Sequence, residues 1–150
     1  MATAPAGPLP RALALKILER MGESGIPPER GVGWVNVGTD ALLGVLDREY
    51  LDLQLGEAGG SSFKLVQATF GAGKTHFLHC LRDLAWQRGY VCALVSVSPN
   101  ECPFHEPLRI YAKVASELAL HPIGDLDEPV RGIAEAIREF VDRQQAIWGE

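Results

Sequence analysis

Ala68-Thr69-Phe70-Gly71-Ala72-Gly73-Lys74-Thr75 sets two glycines, a lysine and a hydroxyl side chain in one short run. Those residue types at that spacing suit a loop that cradles phosphate. Gly71 and Gly73 permit a tight turn that aims several backbone N–H groups at one anion, with Phe70, Ala72 and His76 in the same cradle. Lys74 is placed to reach the β- and γ-phosphates of a nucleoside triphosphate, and the Thr75 hydroxyl to ligate magnesium. The strict pattern has glycine where this chain has Ala68, so the match is to a relaxed form.

The motif calls for a strand before the loop and a helix after it. Residues 63–68 (FKLVQA) are a short apolar run that predicts a buried strand. Residues 74–88 predict a helix, with Phe77, Leu78, Leu81, Leu84 and Ala85 at helical spacing and Gly89 ending it. Residues 90–97 (YVCALVSV) are continuously apolar, as in a parallel strand covered on both faces. Two more helices are expected over 108–120 and 130–148. Ahead of the loop, 10–21 reads as a helix, 22–31 as a breaker-rich connector and 32–37 as an extended segment. Thr39 or Asp40 then caps a helix carrying Leu42, Leu43, Leu46 and Leu51. This order predicts an α/β fold with a parallel sheet flanked by helices and right-handed crossovers. It divides the chain into a tail over 1–10, N-terminal helices over 11–62 and the loop-bearing core over 63–150.

At 150 residues and 47% hydrophobic content the chain can bury a core of its own. Its net charge of −5 gives no general electrostatic reason to expect nucleic-acid binding, although a local basic groove is compatible with it. The three cysteines lack a paired spacing, which points to reduced thiols and a cytoplasmic setting rather than a disulfide framework. No apolar run has the length of a membrane span, and the N-terminus has no secretory pattern.

Val35-Asn36-Val37-Gly38-Thr39-Asp40, followed by a helix, resembles the box that closes over adenine in AAA+ and origin-recognition-type ATPases. Thr39-Asp40 stands where that box usually has Arg-Glu, so the resemblance implies base contact through the backbone and through Val37 and Gly38. The wider run, Gly25-Ile26-Pro27 through Gly38, then 63–75, then Glu106-Pro107-Leu108-Arg109-Ile110-Tyr111, resembles the ATP-binding proteins of bacterial BREX phage-defence systems. That resemblance implies ATP and Mg2+ as ligands and protein partners within a defence complex. It also implies an acidic pair at a strand tip, a sensor and an arginine finger, none of which is recognisable after Val97. The expected reading is the N-terminal portion of a larger ATPase, or a truncated gene product, that binds ATP and hydrolyses it only if a carboxylate is supplied.

Other residues weigh less. Glu101 follows the second strand and reads as a solvated loop carboxylate. His76, Cys80, Cys102 and His105 have spacings that zinc accepts, but His76 adjoins the phosphate loop. Trp34 suits packing as well as stacking on a base, and Arg82, Arg88 and Arg109 read as solvent-facing. Two rival functions stand beside the ATPase reading. A nucleotide-sensing scaffold would bind ATP without turning it over. A small-molecule kinase is disfavoured by the long stretch before the loop and by the lack of an Arg-rich lid.

Overall fold

The computed structural model describes residues 7–100, 102–123 and 128–148. Glu101, Asp125 and Asp127 lie outside the described residues. Helix α1 (Arg11–Ser24) buries Leu13 and Ile17 and stops where Gly25 turns left-handed, its N–H donating to the Met21 carbonyl at 3.0 Å. Gly31 supports that packing. Its φ is +70°, and a Cβ there would meet Ile17 Cδ1 at 2.9 Å and Leu13 Cδ2 at 3.1 Å. Only glycine combines that backbone turn with so close an approach.

The extended segment expected over 32–37 is instead a 3-10 turn at Val32–Val35, with Val32 at its buried end. Helix α2 (Asp40–Val45) runs on without a break as a π-helix over Leu46–Glu57. Asp47 and Asp52 stand five residues apart. An α-helix would set them about 140° apart around its axis, whereas π winding brings such positions back towards one face. Arg88 takes advantage of this, gripping Asp47 with Nε and Nη2 at 2.8 and 2.9 Å and reaching Asp52 at 3.5 Å. Tyr90 adds a hydroxyl bond to the Leu51 carbonyl at 2.5 Å.

Helix α3 (Lys74–Gln87) starts at the end of the glycine loop, as the spacing predicts. Its Phe77, Cys80 and Leu84 close the main core with Val32 and Leu43, and Leu46, Leu51 and Leu81 pack around them. The core therefore joins residues from both sides of the loop. Helix α4 (Pro107–Glu117) and helix α5 (Ile133–Trp148) complete the helical set.

The sheet departs from expectation. Among the described residues it has two strands, β1 (Cys92–Ala93) and β2 (Leu118–Ala119), paired antiparallel with Cys92 opposite Ala119 and Ala93 opposite Leu118. The predicted parallel sheet is thus replaced by a short antiparallel ladder. The apolar run 90–97 finds its partner where the chain leaving α4 turns extended at Leu118, φ −60° and ψ 128°. Residues 63–68 form no ladder, and Phe63 and Leu65 are 85% and 79% exposed. An apolar run has strand propensity, but backbone N–H and C=O groups become a strand only when another chain segment pairs with them. Among the described residues, no helix is long and apolar enough to cross a membrane.

Candidate functional site

The glycine loop hangs between an unpaired lead-in and the first turn of α3. Gly71 and Gly73 both sit in the left-handed region, at φ +78° and +80°, and a Cβ on either would meet nothing within 4 Å. The positive φ sets the requirement for glycine here, and the space beside it is open. The Ala72 N–H closes a turn onto the Thr69 carbonyl at 3.3 Å, and Phe77 N–H takes the Gly73 carbonyl at 2.9 Å. Lys74 folds back over the loop. Its Nζ donates to the carbonyls of Thr69 at 2.7 Å and Ala68 at 3.1 Å. Gly73 precedes α3 without a side-chain cap, so the first N–H groups of the helix are left for other acceptors. Loop, ammonium and helix start thus adjoin one another, with the ammonium resting on the loop's own carbonyls. Phe70, fully exposed at the tip, projects away from the core.

The segment predicted to meet a base lies alongside α3. Val37 is 87% exposed, and Gly38 has φ +81° with open space around it. Asn36 ties this turn down. Its Oδ1 accepts from the Cys80 thiol at 3.6 Å and from the Thr39 hydroxyl, and its Nδ2 donates to Asp40 at 3.2 Å. His76 Nε2 lies 3.6 Å from the same sulfur. Burial, with Asp83 and Asp40 nearby, pushes the Cys80 thiol up to about 11, and burial also lowers the His76 pKa. Both groups are neutral at pH 7. Trp34 faces a different hollow, shared with Leu13, Arg30, Asp83 and His121, rather than the loop.

On its other side, α3 presents Thr75, His79 and Arg82 to a cleft of about 820 Å³, open mouth included, whose far wall carries Glu29, Ser96 and Arg131. Arg82 was expected to face solvent; instead it is 8% exposed. It donates to Glu29 Oε2 at 2.7 Å and to the Glu29 carbonyl at 2.9 Å, and lies 4.4 Å over the Trp86 ring. Arg20 and Arg131 reach the same carboxylate, each at 3.1 Å. Burial alone would raise the Glu29 pKa; the arginines, led by Arg82, outweigh it and hold the group below its ordinary value. His79 is lowered, by burial first and then by Arg82. Helical spacing of His79, Arg82 and Trp86 is visible in the sequence and marks one stripe of α3. The partner of Arg82 is not, because 53 residues separate it from Glu29.

The remaining candidates scatter. Arg88 stays at the surface with Asp47 and Asp52, and Arg109 pairs with Glu106 at 2.7 Å. Cys102 is buried in a bridge to Ser98, and no cluster of three or more His, Cys, Asp or Glu residues suited to a metal occurs among the described residues. Cys92 is half-buried beside α3, its thiol pushed up to about 11 by burial.

Comparison with known proteins places these features in one group. No curated protein and no solved structure matches the chain. The family model described as BREX system ATP-binding protein BrxC/D matches residues 10–141, which takes in the loop, the turn at Val37–Gly38 and, among the described residues, every helix except the end of α5. The chain belongs to that family of BREX system ATP-binding proteins.

Proposed function

We infer that the chain binds ATP with Mg2+ through the loop 68–75, Lys74 meeting the β- and γ-phosphates, Thr75 the metal, and Val37–Gly38 the base. The observation that carries this reading is the position of Lys74. Its ammonium lies over the loop on the Thr69 and Ala68 carbonyls, at the uncapped start of α3. A phosphate arriving there gains the ammonium and the free helix N–H groups together, without a rearrangement of the core. Membership of an ATP-binding family supports the ligand class. Phe70, Gly71, Ala72, Gly73 and His76 would line the cradle. Partner proteins of a BREX defence system would receive the effect of nucleotide binding.

Isothermal titration of the chain with ATP and Mg2+, repeated on Lys74→Ala, tests the reading. Binding that vanishes in the variant supports it. Equal binding by both proteins would place the nucleotide elsewhere. Release of phosphate during the same incubations separates a hydrolysing protein from a nucleotide sensor.

A further inference from the structure

Asn36 occupies an unusual position for a residue just ahead of a helix. Thr39 and Asp40 are the two side chains best suited to cap α2, yet the Thr39 cap position makes no side-chain cap bond. Both side chains turn to Asn36 instead, the Thr39 hydroxyl donating to Oδ1 and Asp40 accepting from Nδ2 at 3.2 Å. A useful cap is forgone in favour of fixing this amide. The third bond crosses to α3, where Cys80 lies 44 residues further along the chain.

The bond to Asn36 has a fixed direction, because an amide oxygen only accepts: Cys80, whose pKa is pushed up to about 11, keeps its proton and donates it to Oδ1. His76 Nε2 stands 3.6 Å from the same sulfur, in a contact whose direction the ring tautomer sets. A continuous path thus runs from His76, directly after the loop, through Cys80 to Asn36, which directly precedes Val37 and Gly38. The side chain of Val37 contributes almost no packing, and Gly38 has none to contribute. Packing at Val32 and Leu43 holds the ends of this stretch, and Asn36 holds the turn between them.

We propose that Asn36 is a positioning residue that sets the base-side turn Val37–Gly38 in register with the phosphate loop, through its bonds to Cys80, Thr39 and Asp40. It stands outside the loop 68–75. Its contribution therefore falls on the base-bearing part of the ligand and not on the triphosphate. The inference rests on the nucleotide reading of the loop.

The test compares Mg-ATP with Mg-tripolyphosphate, which shares the phosphates and lacks the base, by calorimetry on the whole chain. Asn36→Ala is expected to weaken ATP about tenfold, the scale of one or two lost hydrogen bonds, while tripolyphosphate changes less than about twofold. Exchanging the partners, Asn36→Asp with Asp40→Asn, restores a reversed amide–carboxylate bond and is expected to recover most of the loss. If Asn36→Ala does not fold, Cys80→Ala removes the crossing bond together with the sulfur's contacts to His76 and the core, and should weaken ATP by about threefold while again sparing tripolyphosphate. Parallel losses for both ligands, or no loss for either, overturn the assignment while leaving the loop reading intact. ATP binding that is absent from the unaltered chain, or unchanged in Lys74→Ala, overturns the loop reading and this inference with it.

Discussion

Arg82 holds Glu29 at two points, its side-chain carboxylate at 2.7 Å and its backbone carbonyl at 2.9 Å. The pair links α3 to the connector after α1. Arg82 and Glu29 side chains are only 7% and 11% exposed, so each is charged in a place that tolerates charge only in company. Arg20 on α1 and Arg131 just ahead of α5 close the arrangement.

Arg82→Leu is expected to lower stability by about 3 kcal/mol, because it leaves a mostly buried carboxylate without its main partner. Urea denaturation measures it. Loss of less than about 0.5 kcal/mol, the range of an ordinary surface substitution, would show that Arg82 is not part of the folded framework.

Acid should destabilise the protein over two pH ranges. His79 has a folded pKa below its ordinary 6.5, so it favours the folded state when neutral. That contribution is complete above 6.5 and fades as pH falls through the lower folded value. Glu29 is depressed below 4.5, so its contribution is complete above 4.5 and fades only on further acidification. Thermal midpoints measured from pH 7 downwards should decline first through the histidine range. Glu29→Gln should flatten the later decline. An unchanged late limb in that variant would contradict the assignment.

Gly31→Ala tests packing and Gly73→Ala tests backbone alone. At Gly31 a methyl group collides with Ile17 and Leu13 on a left-handed backbone, for an expected cost of about 2–3 kcal/mol. At Gly73 the space is open, so only the positive φ matters and the cost should be about 1 kcal/mol. On the proposed nucleotide reading Gly73 belongs to the phosphate cradle, so its variant should nevertheless lose more ATP affinity than Gly31→Ala. Calorimetric unfolding paired with ATP titration would reveal the opposite ranking if the loop were an ordinary turn.

The helices were legible because their signals are local. Leu13 and Ile17 in α1, and Phe77 and Leu84 in α3, recur at helical spacing, and Gly89 marks the end of α3. Helix α1 runs three residues past its expected end at 21, through Gly22 to Ser24, because Gly22 keeps a helical φ and it is Gly25 that turns left-handed. The turn ahead of α3 was equally plain, since Gly71, Gly73 and Lys74 fall within four residues. The strands were not, because the apolar runs at 63–68 and 90–97 announce a propensity without naming a partner. The second run paired with residues 118–119, which read as the end of a helix until Leu118 turned extended. The Arg82–Glu29 pair and the Asn36–Cys80 tie were hidden for a related reason. Each joins residues more than forty positions apart, and an arginine or asparagine at such a site looks like any solvated residue. Pi winding over Leu46–Glu57 had no local signature beyond the spacing of Asp47 and Asp52.

The central claim, that the loop 68–75 binds the triphosphate of ATP, is tested most directly by titrating Mg-ATP into the chain and into Lys74→Ala under identical conditions. The account predicts that the variant loses at least about a hundredfold in affinity, the roughly 3 kcal/mol of a charged hydrogen bond to phosphate, while its thermal midpoint without nucleotide stays close to that of the unaltered chain. Equal affinity in the two proteins would contradict it.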